Sequence, residues 1–463
     1  MALLNSRVVR LATASILAGI LVGLVGGAFR YLLAGADRLR DALVYRAHAW
    51  PHAGWLAPVV LGAVAVALAR ILVVRFAPFA AGSGVQHVEA VMTGEMKLSP
   101  PVIVPVKFFG GLLALGSGLA LGREGPTVQM GASLGSLVSK SIVREDEDRR
   151  VFDAAGAGAG LAVAFNSPIG GSIFVFEELT SRFTPWLMIA TLASASVAVW
   201  VMRLMLGNTV DFTLKHVSST QSWLLFPFLA LGALLGAVGA LYNTSILALL
   251  RLSDRVTAIS SVGRAAFIGA VVGLAAWFAP ALVGGGDTLT QAIFSDRNAI
   301  AALLTVFLLR FLIGPWSYAA ATPGGLFAPL LFLGASSGAL FGEVLKHLMP
   351  ALGFSSIAFA VVGMSALFSA SVRAPLTGVV LTVEMTGRAD LSLALLVASL
   401  GAMVVATLLN SEPIYASLKR RMLAQQAITA DNVAEQPDGA HESSGKEIPA
   451  SLNNPTASRR LRP

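Results

Sequence analysis

GREGPTVQMGASLGSL, residues 122–137, returns in altered form as GLFAPLLFLGASSGAL at residues 325–340. Pro126 pairs with Pro329, Gly131-Ala132-Ser133 with Gly334-Ala335-Ser336, Gly135 with Gly338 and Leu137 with Leu340, all at an offset of 203 (122 to 325). The same offset pairs Lys107 with Arg310, Phe108 with Phe311 and Gly111 with Gly314. A second block follows in the same order. NSPIGGSIFVFEE (166–178) aligns with RAPLTGVVLTVEM (373–385) at an offset of 207 (166 to 373), so that Pro168 meets Pro375, Gly171 meets Gly378 and Glu177 meets Glu384. A small loop insertion accounts for the change of offset. Two blocks in one order make coincidence the poorer explanation, and the chain reads as two copies of one unit.

The solvent of that unit follows from composition. The 463 residues are 56% hydrophobic and 13% charged, with 46 glycines and a mean hydropathy of +0.75. Soluble domains carry about 25% charged residues, so this chain reads as an all-α integral membrane protein. Apolar segments recur at roughly 11–33, 56–77, 102–121, 126–139, 154–180, 186–206, 223–250, 263–283, 299–318, 326–348, 355–386 and 391–409. Many are short or interrupted by Gly or Pro, which predicts helices that stop midway through the membrane where protein or an aqueous cavity surrounds them. Repeated halves with discontinuous helices are the pattern of transporters with a midplane substrate site. Gly, Ala and Ser on the helix faces permit close packing.

The expected organisation is an N-terminal cytoplasmic segment at 1–10, a first membrane repeat at 11–215, a second at 216–426 and a disordered cytoplasmic tail at 427–463. The tail is polar and turn-rich, and no regulatory domain is expected in it. No secretory signal is evident, and the first apolar stretch is expected to remain as a helix. The formal charge of +8 comes mainly from loop and tail bases, among them Arg251, Arg255 and Arg264, then Lys419, Arg420 and Arg421. That places the C-terminus in the cytoplasm by the positive-inside rule and makes nucleic acid a poor partner. Cysteine is absent, which excludes disulfides and thiolate chemistry. No metal-binding helix motif or phosphate-binding loop appears.

Four stretches set a Gly-rich or Pro-bearing break beside an apolar run: GSGVQ (82–86), GREGP (122–126), GGLFAP (324–329) and EPIY (412–415). Glycine lets the backbone turn and present its amides, and Pro favours the first helical turn. Helix N-termini offer unpaired N–H groups and partial positive charge. Several converging would bind an anion without a full cation, and partial charges release what they bind. Each break alone is as readily a packing device. Together, in a repeated chain, they read as an anion site.

GASLG (131–135) and GASSG (334–338) match the G-x-S-x-G pattern of a serine nucleophile. The six histidines read as lying in loops, at segment ends or in the tail, so a base for Ser133 is missing and the protein is not expected to be an enzyme.

Ionisable residues inside a membrane are functional candidates by default. Glu124 stands at the Gly break, where amides could hold either its carboxylate or an external anion, and protonation would decide between them. Its pairing with Arg123 is the weaker reading, because adjacent residues on a helix do not face each other. Arg123 reads as structural, with electrostatic support at the anion entrance as the alternative. Glu177 recurs as Glu384, which suggests a shared structural job. Glu178 faces Met385 in the alignment and so breaks the repeat, which favours a function; capping the membrane boundary is the alternative for both.

These residues resemble the CLC family of chloride channels and proton-coupled chloride exchangers, over about residues 10–420. GSG, GREGP, G-x-F-A-P and a late tyrosine stand in the family's order, with AGLAVAFNSPIGG and RAPLTGVVLTVEMT also family-like. The resemblance implies two inverted halves of tilted, broken helices and a homodimer with one pore per subunit. It implies that Ser83 and Tyr415 give hydroxyls to a central anion, and that Gly325, Leu326 and Phe327 give backbone amides. Gly82, Gly84, Gly122, Gly125 and Pro126, with Arg123, would support these motifs. Glu124 would be the outer gating glutamate and Glu178 the inner proton-handling one, present in exchangers and typically absent in channels. The expected function is secondary active exchange of chloride for protons, with a passive voltage- or pH-gated chloride channel as the alternative. Chloride and protons are the expected substrates, with no cofactor and no metal, in the lipid bilayer of a bacterial inner membrane. One departure stands out: the family's first motif commonly ends in Pro, and here it ends in Gln86.

Overall fold

In the computed structural model the described residues are 2–98, 101–143, 146–208, 210–214, 225–294 and 299–434, with side chains of 2–7, 146–148 and 428–434 left aside. They form seventeen α-helices: α1 (Ala2–Ala47), α2 (Leu56–Phe76), α3 (Val85–Met92), α4 (Ile103–Gly116), α5 (Glu124–Ile142), α6 (Asp146–Phe165), α7 (Pro168–Phe174), α8 (Pro185–Leu206), α9 (Leu225–Arg255), α10 (Ser261–Phe278), α11 (Asp287–Ile293), α12 (Ile300–Ala319), α13 (Phe327–Leu348), α14 (Ser356–Val372), α15 (Pro375–Thr386), α16 (Ser392–Leu408) and α17 (Ile414–Ala434). Eight helical stretches are long and apolar enough to cross a membrane. At 46 residues, α1 would rise ~69 Å against an apolar layer of ~30 Å, so it cannot stand upright within that layer.

The chain divides into two compact units, residues 1–419 and 420–463. The first holds α1 to α16 and the opening turns of α17; in the second, α17 continues to Ala434. Residues 2–10, expected as a separate segment, are the start of α1. Residues 427–434, expected as tail, complete α17, while the rest of that tail and the expected repeat boundary at 215/216 lie outside the described residues.

The local signals explain the breaks. The apolar run 154–180 splits where Asn166 turns left-handed (φ 52) ahead of Pro168, and the run 355–386 splits where Arg373 does the same (φ 75) ahead of Pro375. Pro cannot continue a helix and suits its first turn. Hydroxyls close other starts: Thr184 accepts from Leu187 N–H, Ser260 from Gly263 N–H and Ser355 from Ala358 N–H.

Packing repeats with the sequence. Helix α5 crosses α6 where a Cβ on Gly131 would stand 2.2 Å from the Gly156 carbonyl oxygen, and α13 crosses α14 where a Cβ on Gly334 would stand 2.3 Å from that of Gly363. The two crossings are related by the offsets 203 (131 to 334) and 207 (156 to 363). A methyl at either would force the backbones apart, an overpacking cost of ~1–3 kcal/mol. Helix α1 packs on α8 as α9 packs on α16, and α6 on α8 as α14 on α16.

Two further contacts join equivalent helices across the halves, α2 with α10 and α7 with α15. Pro58 meets Gly273 and Gly62 meets Gly269, so residue numbers run in opposite directions and α2 lies antiparallel to α10. Both can span a membrane. Equivalent spanning helices that pack antiparallel require a two-fold axis in the membrane plane, which is the inverted arrangement. A third repeat block, missed in the sequence, supports the pairing. FAPFAAGSG (76–84) matches FAPALVGGG (278–286) at an offset of 202 (76 to 278). Gly82 (φ 64) and Gly84 (φ 88) correspond to Gly284 (φ 80) and Gly286 (φ 102).

Candidate functional site

Loops from both halves interlock at the centre of the first unit. Gly82 N–H donates to Thr322 O at 3.0 Å, and Gly324 N–H returns to Gly82 O at 3.1 Å. Gly122 N–H donates to Gly325 O at 2.9 Å, and Gly325 N–H to Gly122 O at 2.7 Å. The N-termini of α3, α5 and α13 follow directly from these loops. The loop before α3 is gripped from behind by Lys107, fully buried on α4, whose ammonium donates to Gly82 O at 2.8 Å and Ser83 O at 3.0 Å. Its repeat partner Arg310 grips the corresponding loop before α11, donating to Leu282 O and Gly284 O. The paired cations are therefore loop clamps, with their charge met by carbonyls.

Glu124 opens α5 and is fully buried. Its Oε1 accepts from Phe327 N–H at 2.7 Å and Ala328 N–H at 3.4 Å, so the carboxylate sits on the N-terminus of α13. Glycine makes this possible: a Cβ on Gly122 would lie 2.0 Å from Glu124 Oε2, and one on Gly325 2.3 Å from Oε1. A Cβ on Gly125 would strike Ser83 Oγ at 2.6 Å, so the Ser83 hydroxyl lies against the residue that follows Glu124. Ser83 Oγ, the Tyr415 hydroxyl and Glu124 Oε2 are buried without a hydrogen-bond partner among the described residues. The Tyr415 phenol lies near Ser83 and Glu124, and its ring stands 5.8 Å from that of Phe327. Phe327 is walled by Phe165, Phe174 and Phe368 at 4.8–6.0 Å. Buried polar atoms ordinarily find partners. Two unpartnered hydroxyl donors beside a helix N-terminus suit an anion, and the carboxylate already on the α13 amides is one such anion.

Expectation and structure part at Gly325 and His87. The Gly325 amide is spent on Gly122, so it is not free for an anion, and Ala328 joins Phe327 in its place. Leu326 is the buried cap residue before α13. Arg123 turns from Glu124: its guanidinium donates to Ala164 O at 2.9 Å and Asp287 at 2.8 Å and stands 3.5 Å from Asp211, which also binds Arg30 at 2.9 Å. Gln86 folds back, its Oε1 accepting from Gly84 N–H at 3.1 Å. His87, expected at a loop or segment end, is buried on α3, stacked on Phe79, with Nδ1 3.2 Å from the Gln129 amide.

The shared job of Glu177 and Glu384 is reciprocal. Glu177 accepts from Leu376 N–H at 3.1 Å and Thr377 N–H at 2.7 Å at the start of α15, while Glu384 accepts from Ile169 N–H at 3.3 Å, Gly170 N–H at 2.8 Å and the Ser167 hydroxyl at the start of α7. Each half caps a helix of the other. Glu178 stands beside Glu177 on a wide turn, 175–179, closed by Thr180 N–H donating to Val175 O at 3.0 Å, five residues back. Such turns are frequent at functional sites. The charges around Glu178 are Glu89, Glu177 and Lys419, with Lys419 3.0 Å from Glu89 and 3.3 Å from Glu95.

The H(+)/Cl(-) exchange transporter ClcA of Vibrio cholerae serotype O1 (strain M66-2) is 38% identical over 431 residues, covering 91% of this chain and 92% of that protein. A slow cyanobacterial Cl-/H+ antiporter has a TM-score of 0.87 at 33% identity, covering 90% of this chain and 99% of that one. A CLC-type fluoride/proton antiporter shares the fold, with a TM-score of 0.75 at 20% identity over 88% of this chain and 97% of that one. The profile of the voltage gated chloride channel family matches residues 65–407, and the chain belongs to that family.

Proposed function

We propose that the protein is a secondary active transporter exchanging chloride for protons, with Glu124 as both gate and proton carrier. One observation carries the reading: the Glu124 carboxylate occupies the α13 amides beside the unpartnered hydroxyls of Ser83 and Tyr415. Carboxylate and chloride then compete for the same donors. When Glu124 takes a proton it loses its charge-assisted hold on Phe327 and Ala328, and the side chain leaves the amides to the anion. Ser83 and Tyr415 complete the anion's shell from the other side. Partial charges hold chloride without the tight grip of a buried ammonium, since the Lys107 charge is turned to carbonyls. Glu178 hands protons between Glu124 and the inner solution. The relatives named as exchangers support exchange over passive conduction. The setting is a bacterial inner membrane, as a homodimer with a cytoplasmic C-terminus.

Competition has a definite signature. In calorimetric titrations of purified protein, chloride affinity should rise as pH falls, because protons remove the rival carboxylate. Truncating both hydroxyl donors, Ser83→Ala with Tyr415→Phe, should weaken chloride by about ten- to hundredfold, the worth of two hydrogen bonds to an anion. Affinity that is flat with pH and indifferent to both hydroxyls would sink the reading.

A further inference from the structure

Gln86 is the residue that the anion site, as described, leaves unused. It is the second residue of α3 and is buried. Its Oε1 accepts from Gly84 N–H at 3.1 Å, and its Nε2 reaches to 3.6 Å from where a Cβ on Gly82 would stand. The side chain therefore arches over the whole Gly82-Ser83-Gly84 loop. Gln129 fills the space at Gly84, where a Cβ would meet its Oε1 at 2.2 Å.

The loop's donors can be followed one by one. Gly82 N–H goes to Thr322 O, Ser83 N–H to the Tyr318 hydroxyl at 3.3 Å and Gly84 N–H to Gln86. Among the described residues the Ser83 hydroxyl is the donor of this loop left without a hydrogen-bond partner. Without Gln86, Gly84 N–H would be a free amide at the start of α3, the kind of group that attracts anions. The Gln86 carbonyl takes that place, as a capping side chain does when it reaches back to the residue before its helix. In the other half the residue at this register is Thr288 (offset 202), too short to reach back over Gly284-Gly285-Gly286, and Ser83 corresponds to Gly285. The reach-back and the hydroxyl thus occur together, in one half only.

We propose that Gln86 is a specificity-determining residue, which keeps the Ser83 loop to one donor and so favours a monatomic anion over planar oxyanions. A sphere such as chloride is satisfied by one hydroxyl from this side. A nitrate presents two oxygens, which could take the Ser83 hydroxyl and a freed Gly84 N–H together. Gln86 removes the second donor and holds the first in place. The inference rests on Ser83 being an anion ligand.

Chloride and nitrate efflux from liposomes tests it. Gln86→Met keeps the length and loses the acceptor; the nitrate-to-chloride flux ratio should rise about three- to tenfold, the span of one net hydrogen bond. Gln86→Asn withdraws the amide by one methylene and should move the ratio the same way, which serves if Q86M does not fold. Gln86→Glu retains an acceptor for Gly84 N–H and should keep the parental ratio, which a merely space-filling role would not distinguish from Q86M. A parental ratio in Q86M or Q86N, or the same rise in Q86E, overturns the proposal. Ser83→Ala, run in parallel, separates the two layers: if it alters neither anion, the site reading itself fails, whereas an effect there with none at Gln86 refutes only the role of Gln86.

Discussion

Glu124→Gln is expected to abolish proton transport, down to the leak of protein-free liposomes, while chloride continues to move. The amide is permanently neutral and cannot carry a proton. It also forfeits the charge-assisted bonds that the carboxylate makes with Phe327 and Ala328, worth ~1.5–3 kcal/mol. With its rival weakened by that amount, chloride should bind about ten- to hundredfold more tightly, and its affinity should lose the pH dependence expected of the parent. The substitution is nearly isosteric, and Gly122 and Gly325 already leave the space for it. Folding is therefore not the variable under test. Parallel recordings of chloride and pH in liposomes check the first outcome, and calorimetry the second.

Glu178→Gln should end proton coupling by a different route, leaving chloride flux and the pH dependence of chloride binding in place. Glu178 lies on the 175–179 turn, on another element from Ser83, Phe327 and Ala328, and a neutral amide there alters the field at the Tyr415 phenol without removing a donor. What it removes is the carboxyl proposed to hand protons between Glu124 and the inner solution. The adjacent Glu177 gives the contrast. Its carboxylate holds Leu376 N–H, Thr377 N–H and the Thr377 hydroxyl, so its replacement acts on the cap of α15. If chloride flux fell in step with proton flux in E178Q, Glu178 would be a structural residue and not a proton carrier.

The repeat was legible because its marks are steric. Gly131 and Gly334 stand where no Cβ fits, and Pro168 and Pro375 stand where a helix must restart. Residue types with one physical use survive in an alignment. The block at 76–84 was legible too, through FAP and two flanking glycines, but its central Ser83 faces Gly285 and hides the match. What the sequence could not carry were contacts made by folding. Arg123 finds Asp287 across 164 residues, and no local pattern announces it. The Gly325 amide looked free because its partner, Gly122, belongs to the other half. Ala328 carries no side-chain signal, because only its backbone takes part. The Glu177 and Glu384 pair was read correctly as a shared job, yet its content, each half capping the other, needed α7 and α15 side by side.

One carboxylate linking the two ion flows would show in simultaneous chloride and proton recording from liposomes holding the unaltered protein. An outward chloride gradient, with no initial pH difference and the membrane voltage clamped at zero, should drive protons inward, building a pH gradient that reverses when the chloride gradient is reversed. Chloride efflux with no accompanying pH change beyond that of protein-free vesicles would rule out coupling through Glu124 and leave a passive chloride pathway.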